Sequence, residues 1–304
     1  VPFFRRVVGI STTVMKRQKI SSLTGPPVCS LASPGECQFG PDNFTAVPLL
    51  KKYDVSPTSS VFTFGLPDKG KGLGLSTCAC ILAKSDVIAS TPKEEGYKDA
   101  PSEVIVRPYT PISTNDQIGT FDLLVKKYPD GKMSSHMHTM SIGDSLSFKH
   151  ISFNVKIQAP FKQKYIGMIV GGTGITPMIQ ALHAVLGSKD AANEISMLYG
   201  SREQSDILGK EMLDAWEKKY PNLNVLHVIS HDDSVSTGKG FRKGYIDTDL
   251  IKEKLPPPDE GDDVIIFVCG PPPMYDVFCG PRDEKDLKGI LKDLGYSANQ
   301  VYKF

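Results

Sequence analysis

The 304-residue sequence predicts a two-domain α+β protein, a small antiparallel β-barrel followed by an α/β domain on a parallel sheet. Three observations point there. Residues 45–157 carry short runs of β-forming side chains separated by Gly, Pro, Asp and Ser, with no long helical pattern between them. Residues 158–304 alternate apolar strand-like runs with helical ones, the order of β-α units on a parallel sheet. The stretch Tyr165 to Ile179 reads as a buried strand, a tight glycine turn and a helix that admits Pro177 in its first turn.

Composition bounds the rest. A chain of this length divides into two domains of roughly 100–150 residues each. Its hydrophobic fraction of 40% suffices for two cores, and a net charge of +1 gives no global pull toward nucleic acid. No run reaches the roughly 18 apolar residues of a membrane-spanning helix. Six cysteines without a dense framework fit a reducing compartment, and Cys29, Cys37 and Cys78-Ala79-Cys80 lack zinc spacing. Residues 1–44 form a basic extension: Arg5, Arg6, Lys16, Arg17 and Lys19 precede the first acid, Glu36, among frequent Ser and Thr. That composition suits an organelle targeting remnant, mitochondrial with plastid or cytosolic alternatives, or a tail ordered by a partner surface.

Residues 45–157 predict strands at Val61–Phe64, Cys78–Leu82, Val104–Val106 and Phe121–Val125, with a long surface loop over Ser85 to Ser102. Two motifs carry chemistry. Arg107-Pro108-Tyr109-Thr110-Pro111-Ile112-Ser113 places an arginine and three hydroxyls at a strand end, where alternation puts Arg107, Tyr109 and Pro111 on one side. An arginine forks onto phosphate, and a tyrosine lies against a flat ring. A solvated strand-end arginine is the plainer alternative. Gly131-Lys132-Met133-Ser134 precedes a short helix over His136–Met140, so helix-start N–H groups, Ser134 and Lys132 suit a diphosphate; a simple N-capped helix reads the same way.

Residues 158–304 predict strands at Tyr165–Val170, Glu194–Tyr199, Asn224–Ile229, Val264–Val268 and Val301–Phe304. Helices are predicted after Pro177, over Ile207–Tyr220 with Trp216 packing inward, near Asp247–Lys254, and over Glu284–Leu294. Ligands of such sheets bind beyond the carboxyl ends of the strands. Gly171-Gly172-Thr173-Gly174 and Cys269-Gly270-Pro271-Pro272 both sit there and are expected to flank one crevice. Glycines at 171, 172 and 174 let a ligand approach the backbone, although an ordinary strand–helix turn also uses them.

In order and at these separations, the four motifs, the last extended through Pro273-Met274, resemble the NADH–cytochrome b5 reductases of the ferredoxin reductase-like flavoproteins, over about residues 45–304. The resemblance implies a six-stranded antiparallel FAD barrel over 45–157 and an NAD(P)-binding α/β domain over 158–304. It implies that Arg107, Pro108 and Tyr109 hold FAD, with Thr110 and Ser113 completing their motif and Leu124, Lys126 and Tyr128 lining the flavin. Gly131, Lys132, Met133 and Ser134 would meet the FAD diphosphate. Gly171, Gly172, Thr173 and Gly174 would frame the nicotinamide nucleotide together with Gly270, Pro271, Pro272 and Met274. Thr176 and Cys269 are the implied catalytic positions, beside the flavin and the reacting nicotinamide carbon. The implied chemistry is hydride transfer from NADH to FAD, then single electrons to a haem-protein acceptor, with no metal and no role for His183, His227 or His231. Ser201 and Arg202 would suit a 2′-phosphate, but Asp232-Asp233 would repel it, which favours NADH over NADPH.

Cys78-Ala79-Cys80 stands where that family carries a Gly-Gln-His-like segment. The alternative function is therefore a reductase-derived accessory subunit of a larger organelle membrane complex, bound through residues 1–44 and with little turnover.

Overall fold

The computed structural model describes residues 23–33, 35–88, 102–151 and 157–304. The first half is an antiparallel sheet of β1 (Thr45–Ser56), β2 (Ser59–Gly65), β3 (Ile81–Ile88), β4 (Ser102–Tyr109), β5 (Thr120–Lys126) and β6 (Ser145–His150). The order is β4-β3-β6-β1-β2-β5. The start of β1 pairs with β6 and the rest with β2, with a register shift between Leu49 and Lys51. A bulge bends a strand and raises its twist. The sheet curls accordingly, and inward side chains from all six strands share one core. Phe39, Phe64, Phe121 and Phe148 pack there with ring centroids within 5.7 Å of one another in five pairs. Burying each such side chain contributes about 1.5–3 kcal/mol. Helix α1 (Lys132–Thr139) seals one end through Met133 and Met137.

Three expectations need correction here. Cys78-Ala79-Cys80 is a turn, not the start of a strand: Cys78 has φ 63, and β3 begins at Ile81. Strands β3 and β4 extend into the expected loop as far as Ile88 and back to Ser102, and positions 89–101 lie outside the described residues. Helix α1 starts at Lys132, a turn earlier than expected.

The second sheet is wholly parallel: β7 (Tyr165–Gly171), β8 (Glu194–Ser201), β9 (Leu223–Ile229), β10 (Phe241–Lys243), β11 (Val264–Cys269) and β12 (Val301–Lys303), ordered β10-β9-β8-β7-β11-β12. Alternate residues of β7 and β11 feed opposite faces. Met168, Val170, Ile265 and Phe267 pack with α2 (Ile175–Leu186) and α3 (Lys210–Lys219). Ile169, Ile266 and Val268 pack with α4 (Thr248–Lys254), α5 (Pro272–Phe278) and α6 (Gly289–Asp293). Helix α4 starts where Asp247 accepts a hydrogen bond from the Leu250 N–H at 2.8 Å, an N-cap. The helix expected over Glu284–Leu294 is only α6: Gly289 has φ +69, and a Cβ there would lie 2.4 Å from the Val277 carbonyl oxygen. Similarly, the expected helix over Ile207–Tyr220 is preceded by a 3-10 turn at Gln204–Asp206 and begins at Lys210. Among the described residues, no helix is long and apolar enough to cross a membrane.

Within the basic extension, residues 23–33 are described and pack on the second domain itself. They run as a strap along α2 of the second domain. Leu23 is buried against α2 and α3. The Val28 N–H donates to His183 Nδ1 at 3.0 Å, leaving His183 Nε2 to donate to Thr24 Oγ1 at 3.1 Å. Gly187 permits the approach, since a Cβ there would lie 2.3 Å from the Cys29 nitrogen. Asn115 Nδ2 then donates to the Ser30 carbonyl at 3.0 Å, so the strap touches both domains. Positions 1–22 lie outside the described residues.

Candidate functional site

Strand order in the second sheet reverses between β7 and β11, where β7 continues into β8 on one side and β11 into β12 on the other. Such a switch point opens a crevice between the turns that leave the two strands. Here those turns are Gly171–Gly174 and Cys269–Pro272. They touch through their backbones: a Cβ on Gly174 would lie 2.1 Å from the Cys269 carbonyl oxygen. The crevice opens into a cleft of about 890 Å³ whose other wall belongs to the barrel.

The barrel wall is made by Arg107, Pro108, Tyr109 and Thr110, by Leu124, Lys126 and Tyr128, and by Gly131 to Ser134. Along β5, Phe121 and Leu123 fill the barrel core while Leu124 and Lys126 turn to the cleft. Burial pushes the Tyr109 hydroxyl up to about 12, against the Arg107 charge, so it remains a neutral phenol. The Ser134 hydroxyl is spent within its own turn, donating to the Gly131 carbonyl at 3.0 Å and accepting from the Tyr128 N–H at 3.3 Å. A phosphate at this end would therefore meet Lys132 and the first turn of α1.

The opposite wall is made by Gly171, Thr173, Gly174, Thr176, Cys269, Gly270, Pro271 and Pro272. Thr176 stands in the first turn of α2. Burial pushes the Cys269 thiol up to about 11, with Tyr275 and Arg282 opposing, so it stays protonated at neutral pH and is a poor nucleophile. Its chemistry suits packing beside a ring.

Four residues of the sequence motifs lie elsewhere. Ser113 faces away: its hydroxyl accepts from the Asp122 N–H at 2.9 Å. Pro111 is buried, because β4 ends at Tyr109 and alternation stops there. Gly172 is off the cleft lining, and its carbonyl accepts from the Tyr199 hydroxyl at 3.0 Å. Met274 packs behind the turns, where Cβ atoms on Gly171 and Gly270 would lie 2.2 and 2.6 Å from its sulfur. Those glycines make room for Met274 as well as for a ligand.

Sequence reasoning missed several lining residues. Cys78 reaches across the domain seam, its Sγ–H donating to the Pro177 carbonyl at 3.2 Å. Cys80 shares the lining, as does Arg282, whose guanidinium lies over the Tyr275 ring at 5.4 Å. The Tyr275 hydroxyl donates to the Phe304 carbonyl at 2.6 Å and anchors the last residue at the cleft beside Tyr302. The aromatic ending was the available signal for those two. Cys78 and Cys80 belong to the segment that stands where the family carries Gly-Gln-His, whereas nothing local marks Arg282. Among the described residues, no group of three or more His, Cys, Asp or Glu side chains is placed to hold a metal.

Beyond the cleft, Asp232 follows β9. The Ser234 hydroxyl and N–H hold its carboxyl below the usual range, so it is ionised at neutral pH. A ribose 2′-phosphate next to it would be repelled.

Comparison with known proteins matches both halves. The family model of the oxidoreductase FAD-binding domain covers residues 46–156, and that of the oxidoreductase NAD-binding domain covers residues 168–280. The chain is 36% identical over 276 residues to NADH-cytochrome b5 reductase 2 of Scheffersomyces stipitis, spanning 89% of this chain and 87% of that one. It is 37% identical over 271 residues to an NADH-cytochrome b5 reductase-like protein of Arabidopsis thaliana, spanning 88% and 78%. The solved cytochrome b5 reductase domain of Ulva prolifera nitrate reductase is similar at a TM-score of 0.71 and 27% identity, over 88% of this chain and 99% of that domain.

Proposed function

The chain belongs to the NADH–cytochrome b5 reductase family, and we propose from that premise that it passes single electrons to a haem protein such as cytochrome b5. It is an oxidoreductase with FAD and NADH as cofactors. The residues present fit both. Gly131, Gly171 and Gly174 line the cleft with no side chain, so a ligand meets the backbone there. Arg107 and Lys132 bring positive charge to the barrel wall, and Asp232 disfavours the phosphorylated nucleotide. FAD, when bound, accepts electrons as a hydride and releases them one at a time.

The chain's own residues supply position. Arg107 offers a fork of N–H donors to phosphate, and Tyr109 a flat protonated ring. Thr176 and Cys269 stand opposite, on the turns that would hold the nicotinamide ring. Holding two reacting rings at contact distance supplies several kcal/mol of the barrier, about 7–11 at best. The observation that carries this reading is the meeting of both walls in one cleft.

Purified protein with FAD, NADH and ferricyanide tests it. Bleaching of the flavin by NADH, followed by turnover with ferricyanide and with cytochrome b5, is expected. A yellow protein that NADH does not bleach would overturn the reductase reading in favour of an accessory subunit. The basic, acid-free stretch before Glu36 supports a mitochondrial location and attachment to other subunits of an organelle membrane complex through the basic extension. Fractionation of cells expressing the full chain checks this, and recovery in the cytosol would overturn it.

A further inference from the structure

One face of α2 runs along the seam between the domains. Thr176, Gln180 and His183 lie at spacings of four and three, on one helical stripe. Thr176 lines the cleft, and His183 holds the strap. Gln180, between them, reaches the barrel. Its Nε2 donates to the Pro111 carbonyl at 2.8 Å and to the Ser113 carbonyl at 2.6 Å. Both partners are acceptors, so the amide orientation is unambiguous: both N–H groups are used on the other domain.

The segment so gripped is fixed from its other side too. The Ile112 N–H donates to the Asp122 carbonyl at 2.9 Å, and Ser113 Oγ accepts from the Asp122 N–H at 2.9 Å. Residues 111–113 are thus tied alongside β5 by two hydrogen bonds to Asp122. They also directly follow Arg107–Thr110, the wall that faces Thr176 across the cleft. The rest of the seam is mostly apolar, with Val61, Cys78, Ile112 and Leu124 of the barrel packed among α2 side chains; the Cys78 thiol bonded to the Pro177 carbonyl and the Lys126–Asp206 ion pair at 3.7 Å also cross it. Apolar packing holds the domains together but is non-directional. The two Gln180 hydrogen bonds are directional and are the contacts that tie α2 to residues 111–113.

We propose that Gln180 is a positioning residue for hydride transfer, fixing the distance between the barrel wall that holds the flavin and the helix start that faces the nicotinamide. This rests on the reductase reading. A displacement near 1 Å costs hydride transfer roughly a hundredfold, while binding of either cofactor, made within one domain, changes little.

The test uses the full chain with FAD and Gln180→Met, which keeps length and removes both N–H donors. The flavin content and the NADH dissociation constant should stay within about threefold, and single-turnover flavin reduction should fall by about tenfold or more. The long-wavelength charge-transfer absorbance of stacked flavin and nicotinamide should weaken in parallel. Amide exchange from Ile112 to Gln117 should quicken by about tenfold, which does not depend on turnover. Gln180→Glu, which sets a carboxylate against two carbonyl oxygens, should be slower still. Reduction within about twofold of the unmodified protein, with unchanged exchange, would overturn the assignment. If Gln180→Met fails to take up FAD, Gln180→Lys decides, because it retains donors: restored reduction upholds the brace, and no restoration overturns it. An unmodified protein that NADH does not reduce overturns the reductase reading instead, and exchange over Ile112–Gln117 alone then decides whether Gln180 braces the seam.

Discussion

Gly174→Ala should slow NADH-dependent flavin reduction about a hundredfold while leaving FAD bound. Gly174 has φ −60, which any residue adopts, so no backbone cost arises. The effect is purely one of space. A Cβ would lie 2.1 Å from the Cys269 oxygen, 2.5 Å from its carbonyl carbon and 2.9 Å from the Gly270 nitrogen. All three are backbone atoms, so no side-chain rotation relieves the clash. The two turns must part, and they are the turns that flank the nicotinamide crevice. A parting of 1 Å or more costs hydride transfer about a hundredfold and weakens nucleotide binding as well. The barrel core is separate and keeps its share of the cleft. Gly172→Ala is the contrast. Its Cβ meets open space, but its φ of +52 is left-handed, so it should cost about 1–2 kcal/mol of stability and spare the reaction. Anaerobic mixing with NADH, followed by flavin absorbance, measures both. Reduction of the Gly174→Ala protein within about tenfold of the unmodified rate would show that the turns are not in tight contact.

Gly174 was legible in sequence, as were most elements with strong local patterns. The runs at Val264–Val268 and Phe121–Val125 are apolar enough to be strands in any setting, and β11 and β5 lie there. Strand β6 has the same clarity in retrospect: Leu146, Phe148 and His150 are buried in strict alternation, yet the charged and hydroxyl residues between them hid the period. Strand β1 was masked by Pro48, which sits at the end of its pairing with β6, where no further ladder bond is needed. The helix expected before Leu294 failed on one residue, because charge pattern and propensity say nothing of the left-handed turn at Gly289. Site reading failed differently. Motifs give proximity in the chain, not direction. Ser113 and Met274 belong to the motifs yet turn away from the cleft, whereas Arg282 belongs to none and lines it. The strap and Gln180 were out of reach for a simpler reason. Their partners lie 155 residues away for Val28 with His183, and 69 for Gln180 with Pro111, so only the fold brings them together.

The strap also makes stability sensitive to mild acid. His183 is buried against Trp216, with ring centroids 5.0 Å apart, and burial lowers its pKa from 6.5 to about 4 with only Asp116 opposing. His227 is buried between Tyr199 and Phe241, and burial together with Lys210 lowers it likewise to about 4, with Asp214 opposing. In the folded chain both rings resist protonation, and in the unfolded chain they accept protons at the ordinary value. The unfolded state therefore binds more protons between the two values, and stability rises with pH through that window. It is full above pH 6.5 and is lost progressively as pH falls toward about 4, by up to about 3 kcal/mol for each histidine. His183 carries an added consequence. Its Nδ1 accepts the Val28 N–H, and a protonated ring has no lone pair to offer there, so the strap should leave α2 as the ring charges. The exposed carboxyls of Asp68, Asp232, Asp233 and Glu253 have lowered values and act only at the acid end, which keeps the two effects apart. Urea midpoints at a series of pH values between 7 and 4 measure the slope, and His227→Phe, which fills the same space without a titrating group, should flatten it by less than half, because burial also lowers His138 and His150. A midpoint that does not move between pH 7 and pH 5 would mean that neither ring is held neutral, and that the strap does not depend on the His183 lone pair.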